Sequence, residues 1–126
     1  AARRMMQEVP AADVVVTNPT HFAVAIKYDP EGETAPLVVA KGVDEIAEKI
    51  KEIARESGVP VIPIPPLARS LYYTTDLNKE IPRGLFKAVA SLLAWVMGMK
   101  AFKEGKTNQR PRDLDKNLPI PEELRF

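Results

Sequence analysis

An asparagine followed by a proline, as at Asn18-Pro19, loses the ordinary route of asparagine ageing. Deamidation needs the nitrogen of the next residue to attack the side-chain carbonyl, and a prolyl nitrogen has no hydrogen to give up. The reverse attack stays open. In it the side-chain amide nitrogen of Asn18 adds to its own main-chain carbonyl carbon, a succinimide ring closes, and the nitrogen of Pro19 is expelled. The backbone is then cut between Asn18 and Pro19.

An amide nitrogen is a weak nucleophile, so the fold must supply most of the help. Holding the attacking atom against the carbonyl is worth roughly 7–11 kcal/mol in favourable intramolecular systems, and loop N–H groups aimed at the developing oxyanion would add to it. The departing prolyl nitrogen needs a proton. His21 is the only histidine in the chain, and histidine is the side-chain type that exchanges protons near neutrality, so it is assigned an accessory proton-shuttling role. Thr20 either polarises the same region through its hydroxyl or supports the turn. The plainer alternative is that Asn18-Pro19 is a turn, as most such pairs are, and His21 a hydrogen-bonded structural residue.

The elements around this string must position it. Val14 to Val16 and Phe22 to Ile26 are β-branched or aromatic runs of strand length, and Asn-Pro is a turn-forming pair, so two strands joined by a tight loop are expected. Proline fixes its own φ and biases Asn18 toward an extended backbone.

The string VTNPTHFAVAIKYD, followed by APLVVAKG, GVPVIPIPPLARSLY and IPRGLFKAVASLLAWV, resembles the cytoplasmic C-terminal domain of the FlhB/YscU family, the self-cleaving switch proteins of flagellar and injectisome type III secretion. The resemblance runs from about residue 11 to the end, and LPIPEELRF and LLAWV look more like the flagellar branch than the virulence branch. It implies catalytic roles for Asn18, Pro19, Thr20 and His21, and a switch from rod-and-hook to filament export substrates after the cut. It also implies an upstream membrane-embedded portion, and hence a place on the cytoplasmic face of the bacterial inner membrane. The implied partners are other export-apparatus proteins, a hook-length control protein and the secreted flagellar substrates. Pieces 1–18 and 19–126 are expected to stay associated through strand pairing. The apolar surface around Ala35 and Pro36, with Ala90 and Leu93, is a candidate receiver of short hydrophobic export signals; the alternative is that Ala90 and Leu93 are simply core.

Composition bounds these expectations. At 126 residues the chain is of single-domain size, and 45% hydrophobic with 28% charged residues fits a globular protein. A formal charge of +1, from basic residues scattered among nearly as many acids, argues against nucleic acid as the main partner. With no cysteine and one histidine there is no disulfide framework, no thiolate or multi-histidine metal site, and no cofactor is expected. No signal peptide is visible, and no run is read as reaching the length of a membrane span. The chain starts Ala1-Ala2-Arg3-Arg4, which reads as an excised fragment.

In order along the chain, residues 1–10 read as the end of a linker helix from an absent membrane portion, with Met5, Met6 and Val9 packing on the domain, on an upstream partner, or fraying. Residues 28–34 are a loop. Leu37 to Ala40 is a short buried strand ended by Lys41-Gly42. Val43 to Ser57 carries Val43, Ile46, Ala47, Ile50, Ile53 and Ala54 at helical spacing, with Gly58 as a stop; its charges, Lys51 among them, are read as a solvated face. Val59 to Ile64 is a short or edge strand by its prolines. A helix opens at Pro65 with Leu67 and Leu71 as core, and the longest helix runs from Ile81-Pro82 to about Lys103 on a broad apolar stripe. The expected fold is α/β, a small mixed β-sheet of about four strands flanked by about four helices, self-cleaved in the loop between the first two strands. Residues 11–104 form the globular autocleaving domain and 105–126 a flexible C-terminal tail. A non-reactive α/β adaptor is the rival reading, and turnover of an external substrate lacks machinery: the expectation is a single self-cleavage rather than an enzyme.

Overall fold

The computed structural model describes residues 2–126, so residue 1 of the expected linker lies outside the described residues. The strands β1 (Val14–Asn18), β2 (Phe22–Lys27), β3 (Leu37–Val43), β4 (Val61–Pro63) and β5 (Lys79–Glu80) form one mixed sheet in the order β4-β1-β2-β3-β5. β1 and β2 are an antiparallel hairpin, in register from Val14 opposite Ile26 to Asn18 opposite Phe22. β4 lies parallel to β1, and β3 antiparallel to β2. The helices are α1 (Ala2–Met6), α2 (Asp44–Glu56), α3 (Pro65–Thr74) and α4 (Phe86–Lys103). The mixed α/β architecture is the one read from the sequence, with the two-residue β5 added at the edge.

Both faces of the sheet are covered, which is why β1 and β2 read as near-continuous apolar runs instead of alternating ones. Val14, Val16, Val24 and Ile26 face α3 and α4, packing with Leu67, Leu71, Leu85, Val89 and Leu92. Val15, Ala23 and Ala25 face the other way, against Ala47, Ile50 and Ala54 of α2. Met5 and Val9 belong to that second layer, so of the alternatives for the N-terminal segment the structure takes packing on the domain.

Four expectations change. β3 continues through Lys41-Gly42 to Val43; a Cβ at position 42 would overlap the Ile46 side chain, so glycine there lets α2 close on the strand. In β3 the register shifts beside Ala25/Ile26, and this bulge turns Val39 and Ala40 to the same layer. Lys51 is buried, not part of a solvated face. Arg83–Lys103 does have the length and apolar composition of a membrane span, yet Leu85, Val89 and Leu92 on it are fully buried in the domain core. The tail read as flexible is seated on the body: Leu118 and Ile120 are buried, Trp95 Nε1 donates to the Arg112 carbonyl at 2.8 Å, and Arg69 Nε donates to the Phe126 carbonyl at 2.8 Å.

Candidate functional site

The string Asn18-Pro19-Thr20-His21 closes the β1–β2 hairpin. Asn18 is the last residue of β1 and is half-buried, while Pro19, Thr20 and His21 are exposed at the tip. Proline suits this place because its missing N–H is not needed where the ladder stops. The strand behind it is fixed on both sides: Thr17 pairs with Ala23 in β2 and accepts a hydrogen bond at 2.9 Å from the Ile64 N–H that precedes α3. Asn18 therefore sits on a rigid base, as intramolecular attack requires.

The closing bond of the turn is the informative one. The backbone N–H of His21 donates to the carbonyl oxygen of Asn18 at 2.9 Å. That oxygen belongs to the Asn18–Pro19 peptide bond. It is the atom on which negative charge would develop if the side-chain nitrogen of Asn18 attacked its own carbonyl carbon, so the turn supplies an oxyanion donor without rearrangement.

α2 holds the remaining corners of the turn. The carbonyl of His21 accepts from the Asp44 N–H at 3.0 Å, and the carbonyl of Pro19 accepts from Lys51 Nζ at 2.8 Å. His21 Nδ1 lies 3.8 Å from Asp44 Oδ1, both side chains being well exposed. The imidazole is thus open to water on the outer side of the turn. Phe22 anchors the other flank by packing its ring on Tyr72 and Tyr73, at centroid distances of 4.9 and 5.7 Å.

Lys51 is the residue that sequence reasoning missed. It follows Ala47 by four positions and Asp44 by seven, a spacing that places all three near one helical face. Assigning every charge on α2 to solvent hid it.

The second candidate group also comes together. Ala35, Pro36, Ala90 and Leu93 line one groove of about 380 Å³, flanked by Tyr28 and Met97. Leu93 is buried and belongs to the core, as the alternative for it had it, whereas Ala90 is exposed and Met97 is 52% exposed, so the groove has an apolar floor and an open apolar rim. Its edge is pinned where the Ala35 N–H donates to Glu80 Oε1 at 2.8 Å and the Ile81 N–H to the Pro36 carbonyl at 3.0 Å. Lys27 pairs with Leu37 at this end of the β2–β3 ladder, and Phe22 pairs with Val43 at the end nearest the turn. At about 3.4 Å per residue, the five steps of β2 between these two ends span about 17 Å.

Comparison with known proteins gives a consistent result. Residues 1–96 match the model of the FlhB HrpN YscU SpaS family. The flagellar biosynthetic protein FlhB of Salmonella typhimurium is 48% identical over 126 residues, the whole of this chain and 32% of that protein. FlhB of Aquifex aeolicus is 54% identical over 100 residues, 79% of this chain and 29% of that protein. The chain thus spans about a third of the length of these curated relatives. Among solved structures, the cytoplasmic domain of FlhB from Shewanella putrefaciens superposes with a TM-score of 0.93 at 49% identity, covering 100% of this chain and 96% of that one. The PscU C-terminal domain superposes with a TM-score of 0.58 at 38% identity, covering 62% of this chain and 99% of that one.

Proposed function

The chain belongs to the FlhB HrpN YscU SpaS family, and from that premise we propose that it cuts its own backbone once, between Asn18 and Pro19, as the cytoplasmic part of a flagellar type III export gate. The observation that carries the reading is the 2.9 Å hydrogen bond from the His21 N–H to the carbonyl oxygen of Asn18, at an Asn-Pro bond where deamidation is closed.

The chemistry balances within the turn. Asn18 Nδ2 bonds to the Asn18 carbonyl carbon, and the electron pair moves onto the oxygen faced by the His21 N–H. As the oxyanion collapses, the bond to the Pro19 nitrogen breaks. The proton lost from Nδ2 passes to that nitrogen, with His21 and solvent as the path. A succinimide remains at position 18, to be opened by water. The reaction consumes its own asparagine and so does not turn over.

The two pieces stay together. β1 keeps its register with β2 and β4 after the cut, and Val14, Val15 and Val16 are fully buried, each contributing about 1.5–3 kcal/mol of apolar burial. Cleavage then frees a loop and leaves the domain whole. In the export apparatus this permits the change from rod-and-hook to filament substrates, with a hook-length control protein and other gate components as partners at the inner membrane. The groove of Ala35, Pro36, Ala90 and Leu93 receives short hydrophobic segments of the exported proteins.

Denaturing intact mass of the chain beside Asn18→Ala tests the chemistry. Pieces of 18 and 108 residues from the parent, with the variant whole, support it. A parent still whole after long incubation at neutral pH returns the turn to a purely structural role and leaves a non-reactive adaptor.

A further inference from the structure

Lys51 is the one charged residue buried among the described residues, at 7% exposure. Taking an ammonium group out of water costs several kcal/mol unless partners replace its hydration. Its partners are Glu48 Oε1 at 2.8 Å and the Pro19 carbonyl at 2.8 Å. The first does not require burial, since the Glu48 side chain is 66% exposed and the pair spans three positions on one helix. The second does. It reaches 32 residues back along the chain, to the residue whose nitrogen is the leaving group.

The helix that carries Lys51 is held by Ala47, Ile50 and Ala54 in the sheet-facing layer, so the ammonium is presented from a fixed place. Pro19 is then gripped on both sides. Its N-terminal neighbour is held by the His21 N–H on the Asn18 carbonyl, and its own carbonyl is held by Lys51. Asp44, which ties the end of the turn, lies two helical turns before Lys51.

We propose that Lys51 is a positioning residue for the self-cleavage: by holding the Pro19 carbonyl it keeps the turn closed while the Asn18 side chain folds back on its own carbonyl carbon. The role rests on the cleavage reading above. Because Lys51 and Pro19 both lie in residues 19–126, the same bond anchors the new N-terminus to α2 after the cut.

The test is a chase after cell-free synthesis of the 126-residue chain, following first-order loss of the uncut species by denaturing mass measurement. Lys51→Met, which keeps the buried stem and removes the donor, is expected to slow the cut about 10–100-fold. Lys51→Arg, which restores a cationic donor, is expected to recover most of the rate. Glu48→Gln, which removes the ion pair and leaves the bond to Pro19, is expected to cut close to the parental rate. Thermal unfolding of each variant in the uncut Asn18→Ala background reports folding separately. A folded Lys51→Met that cuts as fast as the parent overturns the proposal. So does a Glu48→Gln as slow as a folded Lys51→Met; where Lys51→Met does not fold, a folded Glu48→Gln that cuts at least about tenfold slower than a folded Lys51→Arg overturns it instead. A parent that does not cut overturns the cleavage reading itself, and this proposal with it.

Discussion

The backbone N–H of Asp44 meets the carbonyl of His21 at 3.0 Å, from a residue whose φ is +47°. Left-handed backbone is costly for most side chains and tolerated by Asp and Asn. The corner between β3 and α2 is therefore shaped to deliver that N–H to the end of the Asn18–His21 turn.

Asp44→Asn keeps the backbone preference and loses the exposed 3.8 Å pair with His21 and a carboxylate in the first turn of α2; its effect on stability is expected to stay within about 1 kcal/mol. Asp44→Val puts a branched side chain at positive φ and is expected to cost about 1–3 kcal/mol. Urea unfolding in the Asn18→Ala background measures both, and equal costs would show that the corner is not conformationally selective.

Gly42→Ala is expected to destabilise by about 1–3 kcal/mol through overpacking, because the new methyl group meets Ile46. Gly58→Ala meets no atom within 4 Å, but its φ is +75°, so its cost comes from backbone strain alone, about 1–2 kcal/mol. Denaturant midpoints for the two, together with the double variant Gly42→Ala/Ile46→Ala, separate the causes: removing the Ile46 side chain is expected to relieve the Gly42 variant.

The cut chain is expected to elute from a sizing column as one species containing both pieces, and to separate into two only in denaturant. Elution of residues 1–18 alone under native conditions would show that the pairing of β1 with β2 and β4 does not hold without the covalent link.

How much of this was legible in the sequence follows from where the information sits. The hairpin is local: Val14 to Val16, Asn18-Pro19 and Phe22 to Ile26 specify strand, turn and strand by themselves. The Ala47, Ile50, Ala54 row likewise marks the buried face of α2. Lys51 was not legible as buried, because charge overrides position in a pattern reading, and only its distant acceptor at Pro19 explains its burial. The seating of residues 105–126 was hidden for a similar reason. Proline-rich polar sequence looks free until Leu118 and Ile120 find their places beside α4. The β3 bulge and the position of β4 beside β1 depend on long-range pairing that no short window encodes.

Ile120→Ala is expected to destabilise the domain by about 2–4 kcal/mol, and deletion of 113–126 by more, since Leu118 and Ile120 belong to the main core. Hydrogen exchange should show α4 losing protection together with the tail. A deletion without effect on the unfolding midpoint would restore the reading of a loose tail.

Ala90→Glu places a charge on the exposed wall of the groove, where no core packing is lost. Binding of a short hydrophobic export-signal peptide is expected to weaken at least about tenfold, or about 1.4 kcal/mol, with the unfolding midpoint unchanged. Unchanged peptide affinity would remove the groove from the binding reading.

β1 has neighbours on both edges, β2 antiparallel and β4 parallel, and its ladder bonds run crosswise to the chain direction. A pull on residues 1–13 directed along the strand loads those bonds in shear. In a chain cut between Asn18 and Pro19 as proposed, this double ladder would be the mechanical link between the two pieces. The domain can lose its covalent continuity at the turn and still transmit tension through the sheet.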